Sequence, residues 1–152
     1  AAATQVAFPL AMPAASNFTF DQPIDGPGWH VREYRDNHWF CWSDREAALN
    51  LSLSSAGDHE LHCEFLYAAS EQAWTHLQIR VNGHPVTLTK KSETLPGHAT
   101  AFIPSAWLAE SPGHVRIAFQ VGYTVRPSDL DPNNPDTRRL GIAVSRIRLL
   151  PA

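Results

Sequence analysis

The segment 28–42 gathers Trp29, Trp39 and Trp42 around Tyr34, with Arg32, Glu33, Arg35 and Asp36 interleaved among the rings. Flat aromatic faces beside hydrogen-bonding groups are what a sugar ring requires. Its C–H-rich face stacks on an indole or a phenol, and its hydroxyls bond to charged and amide groups. Trp29, Arg32, Tyr34, Arg35, Trp39 and Trp42 are therefore the candidate carbohydrate-binding residues. The arginines suit acidic sugars, because a guanidinium makes planar paired bonds with a carboxylate. Two plainer readings compete with this one. Tryptophans of a β domain belong mostly to its core, and Arg32, Glu33, Arg35, Asp36 and Asp44 lie close enough in the chain to pair with one another on a solvated loop.

Other chemistry is thinner. Asp129-x-Asp131-x-Asn133 has the opening spacing of a calcium loop, but Asn134 stands where glycine belongs and no glutamate closes the loop. His59-x-x-His62 is the nearest approach to metal-ligand spacing, yet on a strand those two side chains point to opposite faces. No metal or other cofactor is expected. No nucleophile elbow, phosphate-cradling loop or zinc-protease motif occurs. Glu33, Glu46 and Glu64 with the aspartates offer carboxylates for glycoside hydrolysis, an unspecific signal. The expectation is a domain without enzymatic activity.

The elements that must position the aromatic segment read as strands. Ala47, Leu49, Leu51 and Leu53 alternate with small or polar residues, as do Leu61, Cys63, Phe65 and Tyr67. Leu77, Ile79 and Val81 repeat the pattern, and so do Val115, Ile117, Phe119 and Val121. Ile142, Val144, Ile147 and Leu149 form a last run whose phase slips near Ser145, the mark of a bulge. Asn82-Gly83 reads as a hairpin turn. Pro104-Ser105-Ala106-Trp107-Leu108 reads as one helical turn with Ser105 as its cap. Trp39-Phe40-Cys41-Trp42 also reads as a strand, with Trp39 and Cys41 on one face and Phe40 and Trp42 on the other. Trp74 and Trp107 read as core or edge packing. About eight short strands predict an all-β, antiparallel two-sheet sandwich of jelly-roll type. Residues 123–139 form a long loop with Pro127, Pro132 and Pro135, the kind of segment that serves function or moves.

The bulk composition narrows the partners. The chain has 152 residues, 43% hydrophobic and 18% charged, with a net charge of -3. That balance lacks the basic footprint of a nucleic-acid binder, and no apolar run is long enough to span a bilayer. Residues 1–20 carry no basic residue and many alanines. They are expected to be a linker or N-terminal extension, cut from a larger protein, ahead of a single domain at 21–152. Cys41 and Cys63 both lie in apolar strand contexts, which predicts buried thiols and leaves a disulfide between them open.

Gly28-Trp29-x-x-x-Glu33, then Trp39-x-x-Trp42, the strand at 47–53, Ile79-x-Val81-Asn82-Gly83, and finally Pro127 followed by Asp136-x-Arg138-x-Leu140-Gly141-Ile142-Ala143-Val144 come in an order that covers residues 28–150. This pattern resembles β-sandwich accessory domains of bacterial surface-glycan enzymes such as glycosyltransferases. More distantly it is similar to the carbohydrate-binding domain of O-antigen ABC exporters. The resemblance implies a carbohydrate-binding module that holds a polysaccharide or oligosaccharide within a larger glycan-synthesis or export protein, a setting that would place it in the cytoplasm. It carries over no catalytic residue, and the Asp136-x-Arg138 pair is expected to fix the long loop. The rival expectation is a docking domain that forms a homodimer or packs against neighbouring domains of its parent protein.

Overall fold

Period-two alternation divides the side chains of each strand between two faces, and one face of each sheet is apolar enough to demand cover. The computed structural model describes residues 12–152. Its strands are β1 (Phe18–Thr19), β2 (Glu33–Arg35), β3 (His38–Trp42), β4 (Glu46–Ser52), β5 (His59–Ala68), β6 (Gln78–Val81), β7 (His84–Pro85), β8 (Thr89–Lys90), β9 (Gly97–Ile103), β10 (His114–Gln120) and β11 (Ile142–Pro151). Three short helices interrupt them: α1 (Glu71–Thr75), α2 (Ser105–Ala109) and α3 (Pro127–Leu130). One antiparallel sheet runs β2-β3-β11-β5-β9-β8, with β1 also paired to β11, and the other runs β4-β10-β6-β7. The fold is thus the expected all-β sandwich. No helix among the described residues is long and apolar enough to cross a membrane.

The predicted strand phases place the core. Leu49, Leu51, Leu61, Cys63, Phe65, Ile79, Val81, Val115, Ile117, Phe119, Val144, Ile147 and Leu149 are all buried between the sheets. The Asn82-Gly83 turn joins β6 to β7 with both residues at positive φ, 49° and 85°, the geometry of a tight hairpin turn. The phase slip near Ser145 is a bulge: Val144 pairs with Phe65 and Arg146 with Glu64, leaving Ser145 unopposed.

Two expectations need correction. Residues 12–20 do not behave as a linker; residues 1–11, the rest of that expected extension, lie outside the described residues. Ala15, Phe18 and Phe20 are fully buried. Phe18 pairs with Ile147 of the larger sheet, and Ala14 bridges to Ser52 of the smaller one. Absence of charge was misleading there, because Phe18 and Phe20 follow the strand period. Ser105 is not the cap of α2; Pro104 holds that position, and the backbone N–H of Ser105 donates instead to Asp58 Oδ1 at 2.8 Å. Strand β9 had no strong apolar signature, because its inward residues include only small Ala99 and Ala101 before Ile103.

Cys41 and Cys63 are free and fully buried. They sit on β3 and β5, with β11 between them. Two strand spacings are about 9–10 Å, beyond the reach of a disulfide. Burial pushes the Cys41 thiol up to about 11, and Cys63 is raised further by the same cause. Both thiols should therefore resist a colorimetric disulfide reagent in the native protein and react once it is unfolded; fast native labelling would contradict the buried placement.

Alanine at Leu51, Phe65, Ile79 or Phe119 leaves a cavity between the sheets and should lower the unfolding free energy by about 2–5 kcal/mol. Denaturant unfolding measures this, and wild-type stability in all four variants would show the layer to be wrong.

Candidate functional site

Strands β2 and β3 form a two-residue hairpin. Asp36 and Asn37 occupy its turn with φ of 53° and 65°, a conformation that these short polar side chains tolerate. Register then sets Tyr34 directly opposite Trp39. Their rings lie 5.1 Å apart, tilted by 57°, and both face solvent: Tyr34 is 57% and Trp39 41% exposed. Exposed Arg35 and His38 form the next pair toward the turn. This is the part of the predicted site that the structure brings together on a surface.

The other predicted residues serve the fold. Trp29 inserts between the sheets, where its ring meets Phe20 at 5.0 Å and Phe119 at 5.5 Å edge to face. Its indole N–H donates to the Ala48 carbonyl at 2.9 Å, so the polar edge is satisfied inside. Gly26 and Gly28 make this insertion possible. A Cβ on either would stand 1.9 Å from a carbonyl oxygen of β4, and both adopt positive φ. Arg32 donates to the carbonyls of Asp21 at 2.7 Å and Gln22 at 3.2 Å, tying down the N-terminal segment. Trp42 is only 9% exposed. It stacks on Tyr67 at 6.1 Å and, with Phe40, Leu66, Leu140 and Ala143, forms a second apolar cluster on the outer face of the sheet. At Phe40–Trp42 strand β3 is thus covered on both faces, since Cys41 points into the main core. Trp29, Arg32 and Trp42 therefore leave the candidate surface.

Of the five charged groups that the plainer reading pairs with one another, only Arg35 and Glu33 do so; Arg32 bonds backbone carbonyls, Asp36 accepts from Tyr67 and Asp44 lies against Arg139. Arg35 lies 3.5 Å from Glu33, and its guanidinium sits over the rings of Tyr67 and Phe40 at 5.6 and 5.9 Å. Tyr67 donates its hydroxyl to Asp36 at 2.9 Å. Arg138 is the junction of the long loop. It donates to Asp136 through Nε at 3.0 Å and Nη2 at 2.8 Å, and to Glu33 through Nη1 at 3.1 Å. Asp136 and Arg138 thus fix the loop to β2. Within that loop Asp131, one of the side chains considered for calcium, accepts from the Asn133 N–H, and Asn134 accepts from the Asp136 N–H, so both bond to the loop's own backbone.

Sequence reasoning missed two concavities built from residues far apart in the chain. One, of about 580 Å³, lies at the end of the smaller sheet, where Tyr123 tilts against His76 at 5.4 Å beside Arg45. The other opens on the outer face of the larger sheet and includes His38, Glu64, His98 and Arg148. Only strand register could have revealed the second, because its residues come from β3, β5, β9 and β11.

The sandwich matches a crystal structure of an exo-β-1,3-galactanase from Phanerochaete chrysosporium with β-1,3-galactotriose, at a TM-score of 0.52 and 11% identity. The match covers 90% of this chain and 29% of that chain, so the chain spans under a third of the enzyme's length. No family model and no curated protein matches the chain, so the finer resemblance to domains of surface-glycan enzymes and exporters gains no support from them. The expectation of a domain without enzymatic activity is withdrawn. A solved chain that shares this fold is a carbohydrate-cleaving enzyme, and at 11% identity the likeness defines the fold and leaves no ground for setting catalysis aside.

Arg138 holds the Asp136 carboxyl down from 3.8 to about 2, through side-chain and backbone hydrogen bonds. Because the folded value is depressed, the stabilisation is complete above the unfolded value and is lost as pH falls through the folded one. Asp136→Asn should thus be less stable than wild type near neutral pH, with the gap closing between about pH 4 and about pH 2. Urea unfolding across that window checks this; a gap independent of pH would contradict the pairing.

Proposed function

We propose that this chain is a carbohydrate-binding β-sandwich domain, and that Tyr34 and Trp39 are its stacking platform. The carrying observation is the hairpin pair itself. Of the five tryptophans only Trp39 is strongly exposed, and register holds it against an exposed tyrosine. Arg35 and His38, the next pair along the hairpin, lie on its other face, where Arg35 packs over Phe40 and Tyr67. The fold shared with a galactan-cleaving enzyme supports a carbohydrate ligand. The sequence resemblance favours a bacterial surface polysaccharide, held for the other parts of a larger protein. The same exposed rings would also suit a protein surface, so the test must separate the two.

Calorimetric titration with neutral galacto-oligosaccharides and with bacterial polysaccharides should detect binding that weakens when either ring is removed. Tyr34→Ala and Trp39→Ala should each cost about 0.5–1.5 kcal/mol, a several-fold rise in Kd, and leave the fold intact. Trp42→Ala should instead destabilise the domain by about 3–5 kcal/mol. Absence of binding by the wild type, with self-association that Trp39→Ala abolishes, would transfer the platform to the docking role.

A further inference from the structure

The outer face of the larger sheet carries a cleft of about 500 Å³, within the range of small-ligand sites. Alternation on β5 sends His62, Glu64 and Leu66 outward, and register sets His62 opposite Arg148 and Glu64 opposite His98. The segment after β8 forms one wall. Lys91 donates its backbone N–H to the His98 carbonyl at 2.7 Å, and Ser92 lies against Gly97. A Cβ at Gly97 would stand 2.7 Å from Ser92 Oγ, so glycine lets this wall close on the strand.

The charges in the cleft are unbalanced. Its one carboxylate, Glu64, lies 3.7 Å from Arg146. Among the described residues Arg148 has no ion pair, and its Nε is buried without an acceptor. A buried donor in that condition is costly. Lys91 adds a second cation. Burial chiefly, with the nearby charges of His62, Arg148 and Lys91 opposed by Glu64, lowers the His98 imidazole below its ordinary value.

We propose that this cleft is a second binding site of the domain, which takes the carboxylate of an acidic sugar residue on Arg148 and Lys91. The anionic part of the inference stands on the cleft alone; the sugar part rests on the carbohydrate-binding reading. A planar guanidinium fork matches a carboxylate, and Lys91 supplies a point charge. Ser92, His98 and Glu64 offer donors and acceptors for ring hydroxyls, and Leu66 offers an apolar contact for a ring face. His38 lines the cleft and precedes Trp39 on β3, and alternation sends the two side chains to opposite faces, so the cleft and the stacking platform occupy different sides of that strand.

Titration calorimetry on the full chain would compare an oligogalacturonate, a neutral galacto-oligosaccharide of equal length, and inorganic phosphate. The uronate should bind about tenfold or more tightly than the neutral sugar. Arg148→Gln and, separately, Lys91→Gln should bring that ratio toward one; Lys91 is exposed on a loop, so its variant tests the site even if Arg148→Gln misfolds. Trp39→Ala should weaken both sugars. Equal affinity for acidic and neutral sugars would overturn the cleft and leave the platform reading in place. Binding of phosphate alone, lost in Arg148→Gln, would identify a simple anion site and overturn both sugar readings.

Discussion

The structure depends on a chain of edge-to-face aromatic contacts that runs through the sandwich from Phe18 to Phe20, Trp29, Phe119, Phe65 and Trp74. Trp29 is its central link. It joins the N-terminal segment to Phe119 of β10, and its N–H bond to Ala48 fastens the ring to β4. Phe119 passes the contact to Phe65 of the opposite sheet. Each such pair adds to the area it buries, so both sheets and the N-terminal segment share one continuous core. Gly26 and Gly28 are the local condition for this, because any side chain there would collide with β4 and keep the indole out.

The anchoring has a consequence for the hairpin. Once Trp29 is fixed at one end and Trp42 is covered by Tyr67 at the other, the chain between them has little freedom. Glu33 at the start of β2 is held by Arg138, whose own position is set by Asp136. What remains at the surface is the tip of β2–β3, where Tyr34 and Trp39 face each other. A platform held this way loses little conformational entropy when a ring stacks on it, which is the condition for useful affinity from a small contact.

Much of this fold was legible because strands with one buried face announce themselves by period two. β4, β5, β6, β10 and β11 are of that kind, and their turns carry glycine or proline. The elements that escaped lack the signal for physical reasons. β9 presents small inward residues, and β1 is two residues long in an uncharged segment that resembles a tail. For the site, residue type was readable but exposure was not. Trp42 and Trp39 are three residues apart in one aromatic run. One is covered because Tyr67, Leu66 and Leu140 converge on it from β5 and the long loop, and the other is free because the hairpin extends past that cover. Those are tertiary facts with no local signature.

The arginines divide along the same line. Arg32, Arg35 and Arg138 lie where backbone carbonyls or carboxylates are within reach, and each is engaged within the chain. Exposed pairs of this kind contribute little to stability and much to geometry. Arg148 is different in kind. Its strand neighbours are His62 and the apolar residues of β11, and the nearest carboxylate in the cleft is shared with Arg146. A guanidinium left without an acceptor on a half-buried sheet face is a cost that the fold has no structural reason to bear. Stacking at the hairpin is indifferent to salt, whereas a charge contact on an open sheet face is screened over about 8–10 Å at physiological ionic strength. Two surfaces, one sensitive to salt and the other not, would let one domain read both the shape of a sugar chain and the charge it carries.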